Sequence, residues 1–417
     1  MTIAWFSPLP PVRSGVAAYS AELLPHLERT FTIDRVDQAR AHDFVWRHRR
    51  APYDLIVYQL GNAPCHDYMW AYLAAYPGLV VLHDARLHHA RARCLLAAER
   101  FDDYRREFRY DHPDAQKDFV EYAVAGLGGP IYYFWSMLRV VMRTARLVAV
   151  HNDRVAAELG DSFPGTAIET IRLGKAAPSP RPGARTRMRA SLGIPDQSVV
   201  FAAFGKLTPE KRIAPIVRAF AALVDEGFDA HLLLVGDASE LGSDRRVVDQ
   251  AGRIHVTGHV ADDDIGDHLA AADVCLCLRW PTALETSASW LHCLAMRKAT
   301  VISDLAHLAG IPPAVALRVD ILDEDESLFA VMRALAEQPA LRDALAAAGH
   351  EYWKAQHTIE ATASDYRRVI ELARTKRAPI VEDLPRHFRE DYAERARAVA
   401  GKLGVAIDRL WEKIGPC

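Results

Sequence analysis

Short apolar runs separated by amphipathic segments recur along the chain and predict a parallel α/β fold. A first set of predicted strands covers residues 2–6, 54–58, 79–82, 146–151 and 168–173. A second set covers residues 199–204, 231–236, 254–257, 273–278 and 299–303. Strand and helix patterns that alternate at this spacing predict doubly wound parallel sheets. We therefore expect two α/β domains, one for each set.

The junction between the two sets is rich in proline. Residues 175–183 read Lys-Ala-Ala-Pro-Ser-Pro-Arg-Pro-Gly, a composition typical of a linker. We expect an N-terminal Rossmann-like domain over residues 1–175, a linker over 176–190 and a C-terminal Rossmann-like domain over 191–350.

The last part of the chain, residues 374–417, predicts a helical extension. Its apolar residues recur at a spacing of three or four, although Gly401 and Gly404 weaken the pattern. The stripe consists of Leu384, Phe388, Tyr392, Ala396, Val399, Leu403, Ile407, Leu410 and Ile414. We expect it to pack on the body of the protein or on a second copy in a homodimer. A helix lying in a membrane surface is the alternative.

The stretch 199–212 combines a predicted strand with two cations. The strand ends at Gly205, and a Thr-Pro pair then marks a helix start. Lys206 and Lys211 therefore lie near a strand-to-helix turn. A glycine there lets the backbone approach a ligand, and the helix start adds positive potential. Such a turn can hold a diphosphate without a metal, whereas a lysine-bearing surface loop is the alternative.

The stretch 281–304 contains a second candidate for anion binding. Glu285 is followed by Thr286 and Ser287 and then by an apolar helix. We place Glu285 in the first helical turn, where the amides of the next two residues are free to meet a phosphate. Alternatively, Glu285 only caps the helix dipole.

Polar residues follow the predicted strands of the N-terminal half, at the edge where open α/β sheets bind ligands. Gly15 ends the loop after the first strand and places its amide at that edge. His83 follows a buried strand and is the strongest candidate of this half, with a histidine bonded to a loop carbonyl as the alternative. Asn62, Asp84 and Asn152 also stand at strand ends.

The segment 86–109 is rich in histidine and arginine. His88 and His89 are adjacent and point apart on a helix, which disfavours a metal site. We expect a solvated helix here. A basic face toward an acceptor or a membrane surface is the alternative.

Composition excludes several classes of function. The chain has 417 residues, 50% of them hydrophobic, and a net charge of −3, so nothing indicates bulk nucleic-acid binding. Six cysteines show neither a disulfide nor a metal-binding spacing, which fits a reducing compartment. The chain shows no signal-peptide pattern and no membrane-spanning run. We expect a cytoplasmic protein whose membrane contact, if any, is peripheral at the inner face.

Residues 205–211, Gly-Lys-Leu-Thr-Pro-Glu-Lys, resemble the Gly-Arg-Leu-x-Pro-Glu-Lys segment of the family 4 (group 1) retaining glycosyltransferases. The resemblance implies the GT-B fold, in which two Rossmann-like domains face each other across a cleft. It implies that Lys206, in place of the family's Arg, and Lys211 grip the diphosphate of a nucleotide sugar. Residues 351–373 would be the helix that crosses back to the N-terminal domain.

The same resemblance implies further contacts with the donor. The loop of Gly15 would face the donor phosphate, His83 would approach the donor sugar, and residues 256–260 would surround the base. The resulting donor-side candidates are Gly15, Gly205, Asp237, Gly258, His259, Val260, Thr286, Ser287 and His292. The acceptor-side candidates are Asn62, Asp84 and Asn152.

Residues 285–293 resemble the family's Glu-x7-Glu motif, whose first Glu contacts the donor sugar and whose second binds ribose hydroxyls. Cys293 stands in place of the second Glu, with His292 beside it. Arg297-Lys298-Ala299 replaces the usual Gly-x-Pro. Because a thiol accepts two hydroxyls poorly, His292 would have to supply the ribose contact.

The sequence thus predicts a hexosyltransferase-type glycosyltransferase of polysaccharide biosynthesis. It would move a sugar from a UDP- or GDP-sugar to a saccharide or lipid-linked acceptor with retention of configuration. We expect neither cofactor nor metal, because Lys206, Lys211 and helix-end amides would stabilise the leaving diphosphate. His83 and Glu285 would position the sugar. The alternatives are a nucleotide-sugar epimerase of the same fold and a non-catalytic subunit that binds glycan or nucleotide sugar.

Overall fold

The computed structural model describes residues 1–129, 131–239 and 252–389. Within these ranges the chain forms two α/β domains, each built on a six-stranded sheet whose ladders are parallel. The predicted α/β architecture with two parallel sheets is therefore confirmed.

The strands of the N-terminal sheet are β1 (Thr2–Phe6), β2 (Thr32–Val36), β3 (Leu55–Leu60), β4 (Leu79–Leu82), β5 (Leu147–Val150) and β6 (Ile168–Thr170). Their order across the sheet is β2-β1-β3-β4-β5-β6. The strands of the C-terminal sheet are β7 (Val199–Phe204), β8 (Ala230–Val235), β9 (Ile254–Val256), β10 (Val274–Cys277), β11 (Ala299–Ser303) and β12 (Leu317–Val319). Their order is β12-β11-β10-β7-β8-β9.

Helices cover both faces of each sheet. In the N-terminal half the described α-helices are α1 (Gly15–Leu27), α2 (Ala41–Arg50), α3 (Trp70–Leu73), α4 (His88–Leu96), α5 (Phe101–Asp111), α6 (Lys117–Val124), α7 (Ile131–Phe134), α8 (Arg139–Thr144) and α9 (Asp153–Ser162). In the C-terminal half they are α10 (Ala184–Ser191), α11 (Ile213–Asp225), α12 (Ile265–Ala271), α13 (Ala288–Ala295), α14 (Glu324–Glu337), α15 (Pro339–Gln356) and α16 (Ile359–Thr375).

Each sheet has a point where the strand order reverses, between β1 and β3 in the first and between β7 and β10 in the second. Such topological switch points open a crevice at the carboxyl ends of the strands, where ligands bind. The loop after β7 carries Lys211 and the loop after β10 carries Glu285. The two stretches singled out in the sequence therefore meet at one switch point.

The strands are buried on both faces, as parallel sheets covered by helices require. In β1, Ile3 and Trp5 belong to one apolar cluster, whereas Ala4 and Phe6 belong to another. The first cluster includes residues of α16 and continues to Trp290 in the C-terminal domain. This shared core fixes how the two domains sit against each other.

The last described α-helix, α16, packs on the N-terminal domain, where the Tyr366 hydroxyl donates to Gln59 Oε1 at 3.0 Å. The segment 351–373, expected to be one helix, is divided between α15 and α16. The break occurs because Thr358 caps α16, its hydroxyl accepting a hydrogen bond from the Ala361 amide at 3.2 Å.

The stretch 176–190, expected to be a linker, already contains most of α10. The reason is Arg189, which is fully buried and pairs with Asp273 at 2.7 Å. A buried guanidinium needs a partner on a fixed element, so the chain is ordered as helix where a linker was predicted.

The prediction of a solvated helix after β4 is wrong. In α4, His88 is fully buried and Arg91 is 4% exposed. Arg91 Nε donates to Glu107 Oε2 of α5 at 2.6 Å. Its guanidinium also lies 4.3 Å from the ring centre of Trp70. A buried ion pair and an aromatic ring thus replace solvent around this helix.

The C-terminal extension is described only to residue 389. Between residues 376 and 389 it contains no α-helix, only the 3-10 turn Arg386–Phe388, so the predicted helix is not found over these residues. Leu384 packs in the apolar cluster of the N-terminal sheet, as expected for packing on the body. The rest of the predicted stripe, from Tyr392 to Ile414, lies outside the described residues.

No helix among the described residues is long and apolar enough to cross a membrane.

Candidate active site

Two glycines shape the turn after β7. Gly205 has a φ of 91°, in the left-handed region, and its amide donates to the Val235 carbonyl at 2.8 Å. A Cβ built on Gly236 would overlap the Gly205 carbonyl. The turns after β7 and β8 therefore approach as closely as only glycine allows. On the β8 side the Ser239 amide and hydroxyl, with Lys206 adding, lower the pKa of Asp237.

Lys211 lies next to this turn. Its Nζ donates to the Phe204 carbonyl. Burial lowers the pKa of Lys211 to about 8, and the nearby Arg279 guanidinium adds to the effect. An ammonium has three donors, so donors remain for a phosphate oxygen. A bound anion would raise the pKa again, because an opposite charge favours the protonated form.

The helix expected directly after Thr208 is interrupted. Residues Pro209–Lys211 form a 3-10 turn, Arg212 has a φ of 58°, and α11 begins one residue later. The Thr208 side chain makes no capping hydrogen bond. Arg212 Nε instead pairs with Glu324 at 2.8 Å and holds the bend. The regular helix start thus lies beyond both lysines, which corrects the predicted placement.

Glu285 lies in the loop after β10 and not in the first turn of the helix. The N-cap of α13 is Ser287, whose hydroxyl accepts a hydrogen bond from the Trp290 amide at 3.3 Å. The cap is therefore a hydroxyl two residues later, which excludes Glu285 as the capping residue. The order Glu-Thr-Ser before an apolar helix fits both placements, so the sequence could not separate them.

Three groups hold the Glu285 carboxylate. It accepts hydrogen bonds from the Thr282 hydroxyl at 2.8 Å and from the Ala283 amide at 2.9 Å. Arg279 Nη1 lies 2.8 Å from Oε1. Burial alone would raise the pKa of Glu285, but Arg279 and the hydrogen bonds outweigh it, so the pKa lies below its usual value. Glu285 is thus a fixed anion beside Lys211.

Asp84 lies on the N-terminal side of the same space. Burial raises the pKa of Asp84 to about 7 and the Glu285 carboxylate adds to the rise, while a hydrogen bond from the Asn62 amide, 2.7 Å long, opposes it. The Ala85 amide donates to the Ala283 carbonyl at 2.9 Å. The end of β4 therefore touches the loop of Glu285 directly across the cleft.

His83 is engaged by the protein at both ring nitrogens. Its Nε2 lies 2.8 Å from Gln59 Oε1 and its Nδ1 lies 3.1 Å from His151 Nε2, while His151 Nδ1 lies 2.8 Å from the Ile171 carbonyl. These three junctions need three ring protons, one more than two neutral imidazoles carry. Rotating the Gln59 amide removes the mismatch, because its otherwise unpartnered nitrogen then donates to His83 Nε2. The Tyr366 hydroxyl then accepts a hydrogen bond from that nitrogen in place of donating one.

Burial, with His151 adding, lowers the pKa of His83 well below its usual value, so the neutral ring is the expected form. A direct contact between this ring and a donor sugar would require one internal hydrogen bond to break.

A cavity of about 210 Å³ opens beside Glu285 between the two domains. From the N-terminal domain it is lined by His151 and Asn152, and from the C-terminal domain by Glu285, Thr286 and Ser287. A space between the carboxyl ends of the two sheets, with Glu285 and the Arg279 guanidinium on one wall, suits a polar ligand with an anionic group.

Comparisons with known proteins agree with this geometry. Residues 198–337 match the family model described as glycosyl transferases group 1. Residues 198–337 of the C-terminal domain are thus similar to group 1 glycosyltransferase domains. The match covers the turn of Lys211, the loop of Glu285 and the helix that follows it. A comparison with curated protein sequences gives no match.

Solved structures resemble nearly the whole chain at low sequence identity. A sucrose-phosphate synthase from Thermosynechococcus elongatus aligns with a TM-score of 0.63 and 15% identity over 89% of this chain and 98% of its own. Anabaena HepE, solved with UDP-glucose, gives 0.62 and 15% over 89% and 100%. WaaG, a glycosyltransferase of lipopolysaccharide biosynthesis, gives 0.59 and 15% over 88% and 99%. The predicted GT-B fold is confirmed, and the match of residues 198–337 supports a glycosyltransferase.

In this glycosyltransferase Cys293 points into the protein. It is fully buried, and its Sγ lies 4.0 Å from Cys277 Sγ. Burial, with the neighbouring thiols adding, raises the pKa of Cys293 well above its usual value. His292 is half-buried, and burial lowers its pKa to about 3. A buried thiol therefore stands where the motif would supply a carboxylate, and His292 is not among the residues that line the cavity beside Glu285.

The remaining donor-side candidates of the glycosyltransferase are spread along the edge of the cleft. Gly15 is the exposed first residue of α1. Gly258 has a φ of 72° and forms a β-bridge with Gly236. This bridge brings the loop after β9 next to the turn after β8, which in turn contacts Gly205. Within that loop His259 is exposed and Val260 is half-buried.

Two of the acceptor-side candidates serve the structure of the glycosyltransferase. Asn62 donates through Nδ2 to the Arg86 carbonyl at 2.7 Å. Asn152 caps α9 and donates through Nδ2 to the His307 carbonyl of the other domain at 2.9 Å. Asp84 alone of the three faces the Glu285 loop with a titrating group.

Reasoning from the sequence missed Arg279, Tyr133 and Glu210. Arg279 follows β10 directly, and a cation at the carboxyl end of a parallel strand is a signal that could have found it. The Tyr133 hydroxyl donates to Glu210 Oε1 at 3.1 Å across the cleft. No sequence signal marks that pair, because its members stand in different domains.

Proposed function

We propose that the chain transfers a sugar from a nucleotide-diphosphate sugar to a hydroxyl of a saccharide or lipid-linked acceptor, with retention of configuration and without a metal. One observation carries the proposal: Lys211, Arg279 and Glu285 converge at the switch point of a group 1 glycosyltransferase domain. The structural neighbour solved with UDP-glucose supports a UDP-sugar as donor.

Lys206 and Lys211 would receive the diphosphate of the donor. Lys211 is held at its carbonyl partner before the ligand arrives, so little side-chain entropy is lost on binding. As the glycosidic bond breaks, negative charge grows on the phosphate, and a buried ammonium stabilises it more strongly than a solvated one. Thr286 and Ser287 line the cavity directly before α13, and the free amides of the first turn of that helix would add dipoles of the same sign.

Glu285 would hold the hydroxyls of the transferred sugar. Three partners fix its carboxylate, and acceptor lone pairs remain on the two oxygens. Asp84, on the acceptor side, has a pKa near neutrality and can accept a hydrogen bond from an incoming hydroxyl. His83 would position the sugar indirectly: its hydrogen bond to His151 would help to fix the shape of the cleft floor. We name no separate base, since the leaving phosphate can take the acceptor proton.

Metal independence rests on the cations of the cleft. Among the described residues no group of three or more histidine, cysteine or carboxylate side chains is placed to hold a metal ion. Two lysines and an arginine already provide the positive charge that a metal would otherwise supply. UDP- and GDP-sugars both fit this chemistry, because the base contacts would come from the loop 256–260.

A panel of UDP- and GDP-sugars tests the proposal. A thermal-shift screen finds the donor, because a ligand that binds only the native state raises the melting temperature by mass action. Transfer to saccharide and lipid-linked acceptors is then measured in excess EDTA. We expect activity to persist. Loss of activity with EDTA and its recovery with Mn²⁺ would contradict the metal-free mechanism. An isomerised donor would indicate an epimerase. Donor binding without turnover would indicate a non-catalytic binding subunit.

A further inference from the structure

The edge of the N-terminal sheet opposite the cleft carries the larger of the two cavities described here. Its volume is about 660 Å³. Residues 145–146 and 165–167 line it and directly precede β5 and β6, so it lies at the amino ends of those strands. The segment after α16, residues 376–381, forms its other wall.

Five cations line this cavity, which we call the basic groove. They are Arg139, Arg143, Arg146, Lys376 and Arg377. No Asp or Glu is among its lining residues. Two of them have an acidic residue nearby outside the lining, Asp383 for Arg143 and Asp111 for Arg139. Five positive charges against these two still repel one another, which costs free energy in the unliganded protein. That cost indicates a ligand with negative charge.

Three of these cations are fixed by a hydrogen bond or an ion pair from their guanidinium group to another residue of the protein. Arg139 Nη2 donates to the Asp111 carbonyl at 3.0 Å, and Arg146 Nε donates to the Pro77 carbonyl at 3.1 Å. Arg143 Nη2 pairs with Asp383 at 3.0 Å. The described residues provide no partner for Arg139 Nε, although it is buried. Guanidinium groups fixed in this way lose little entropy when they bind an anion.

We propose that the basic groove binds a phosphate-bearing ligand, at a site separate from the donor cleft. Phosphate matches the bidentate geometry of arginine, and five cations exceed what one carboxylate needs. Ile380 on the groove wall is 91% exposed. An apolar side chain beside the cations suits a phosphate that carries an alkyl chain, such as an anionic lipid headgroup, and a free phosphate ester would use the cations alone.

Pyrophosphate binding, measured by calorimetry, tests the site. The variant Lys376→Ser/Arg377→Ser removes two exposed cations, and Arg29→Ser/Arg50→Ser is the matched control, because it makes the same change of charge at exposed arginines elsewhere. We expect the groove variant to lose at least about tenfold in affinity at one site and the control to lose none. Lys206→Ala/Lys211→Ala reports any binding in the donor cleft separately.

Vesicles identify the source of the phosphate. Flotation with phosphatidylglycerol vesicles is compared with phosphatidylcholine vesicles for the same three variants. Binding to the anionic vesicles that only the groove variant loses assigns the ligand to a lipid headgroup, and loss of pyrophosphate binding alone assigns it to a free phosphate compound. Equal behaviour of the groove variant and its control in both assays overturns the proposal, and so does pyrophosphate binding lost only in the lysine variant. Either result leaves the proposed transfer reaction untouched.

Discussion

At the scale of single residues, the cleft depends on charges that are buried and paired before any ligand arrives. Lys211 has its pKa lowered to about 8 by burial, and Glu285 is held by Arg279 and two hydrogen bonds. A ligand that binds there exchanges partners with groups already in position. The loss of one such group should therefore affect binding and turnover more than folding.

Replacing either lysine should weaken diphosphate binding. Loss of a charge-assisted contact costs about 1.5–3 kcal/mol, so we expect Lys211→Ala and Lys206→Ala each to lower the affinity for UDP roughly 10- to 100-fold. Lys354→Ala, at an exposed position of α15, is the control and should leave UDP affinity unchanged. Calorimetry with UDP gives the result, and wild-type affinity in both cleft variants would remove the phosphate assignment.

Glu285→Gln separates a sugar contact from a structural role. The variant keeps the shape but loses the ion pair with Arg279, which should cost about 1–3 kcal/mol of stability. We expect turnover per folded molecule to fall while UDP affinity changes little. Thr358→Ala is the control, because loss of the cap of α16, away from the cavity lining, should cost about 0.5–2 kcal/mol with turnover retained. Normal turnover in folded Glu285→Gln would leave this carboxylate a structural role only.

Asp84 should make stability depend on pH. Its folded pKa of about 7 lies above the ordinary value of 3.8, so the native state binds the proton more tightly than the unfolded chain. Stability should then fall as pH rises from 4 to 7, by up to about 4 kcal/mol at 1.36 kcal/mol per pKa unit. Asp84→Asn removes this pH dependence. The melting temperature of the variant, relative to that of the wild type, should therefore rise as pH increases from 4 to 7 and should not change further above pH 7. A pH-independent difference would contradict the assignment.

Sequence reasoning could name Lys206, Lys211 and Glu285 because each stands in a short pattern after a strand. It could not find that Ser287, not Glu285, caps α13, since both residue types suit a helix start. The internal bonds of His83 could not be predicted either, because they join residues from three separate strands and loops.

At the scale of elements, the end of α13 is strained because Arg297 replaces the glycine of the Gly-x-Pro segment that this stretch resembles. Arg297 has a φ of 53° and stands where the family has glycine. Its amide donates to the Leu294 carbonyl at 3.1 Å, and the Lys298 amide donates to the Cys293 carbonyl at 3.0 Å. This is the Schellman pattern, whose left-handed position favours glycine. Arginine there is strained because its Cβ crowds the following carbonyl.

Arg297→Gly should therefore stabilise the protein. Relief of the left-handed strain, about 1 kcal/mol, exceeds the extra entropy of glycine in the unfolded chain, so we expect a net gain of about 0.5 kcal/mol. Arg297→Ala is the control, because alanine keeps the strain while it removes the same side chain. Denaturant unfolding measures both, and a glycine variant no more stable than the alanine variant contradicts the prediction.

The start of α11 could not be predicted at this scale. A Thr-Pro pair is a sound signal of a helix start, but the bend at Arg212 depends on an ion pair with Glu324, which stands 112 residues later. Long-range contacts of this kind override local preference.

At the scale of the whole molecule, the sequence predicts ten of the twelve described strands, because their apolar runs stand out. It does not predict β2 and β12, which are edge strands with several partly exposed positions. The way the domains meet could not be predicted, because the shared apolar core and the polar bonds at the cleft both join residues that are distant in the sequence. Three of these bonds cross the cleft: Ala85 to Ala283, Asn152 to His307, and Tyr133 to Glu210. When these bonds are removed, the cleft should open while the domains stay joined through the shared apolar core.

The variant Tyr133→Phe/Asn152→Asp should shift the molecule toward an open form. Phenylalanine keeps the contact with His89 but cannot donate to Glu210, and aspartate keeps the cap of α9 but cannot donate to the His307 carbonyl. Each lost bond is worth about 0.5–1.5 kcal/mol, so together they should shift the equilibrium roughly 5- to 100-fold. We expect a larger radius of gyration by X-ray scattering, a higher KM for the donor and a return to the compact form with saturating donor. Tyr132→Phe, which alters a neighbouring tyrosine that also stacks on His89, is the control. Scattering and KM unchanged from wild type would show that these bonds do not hold the cleft closed.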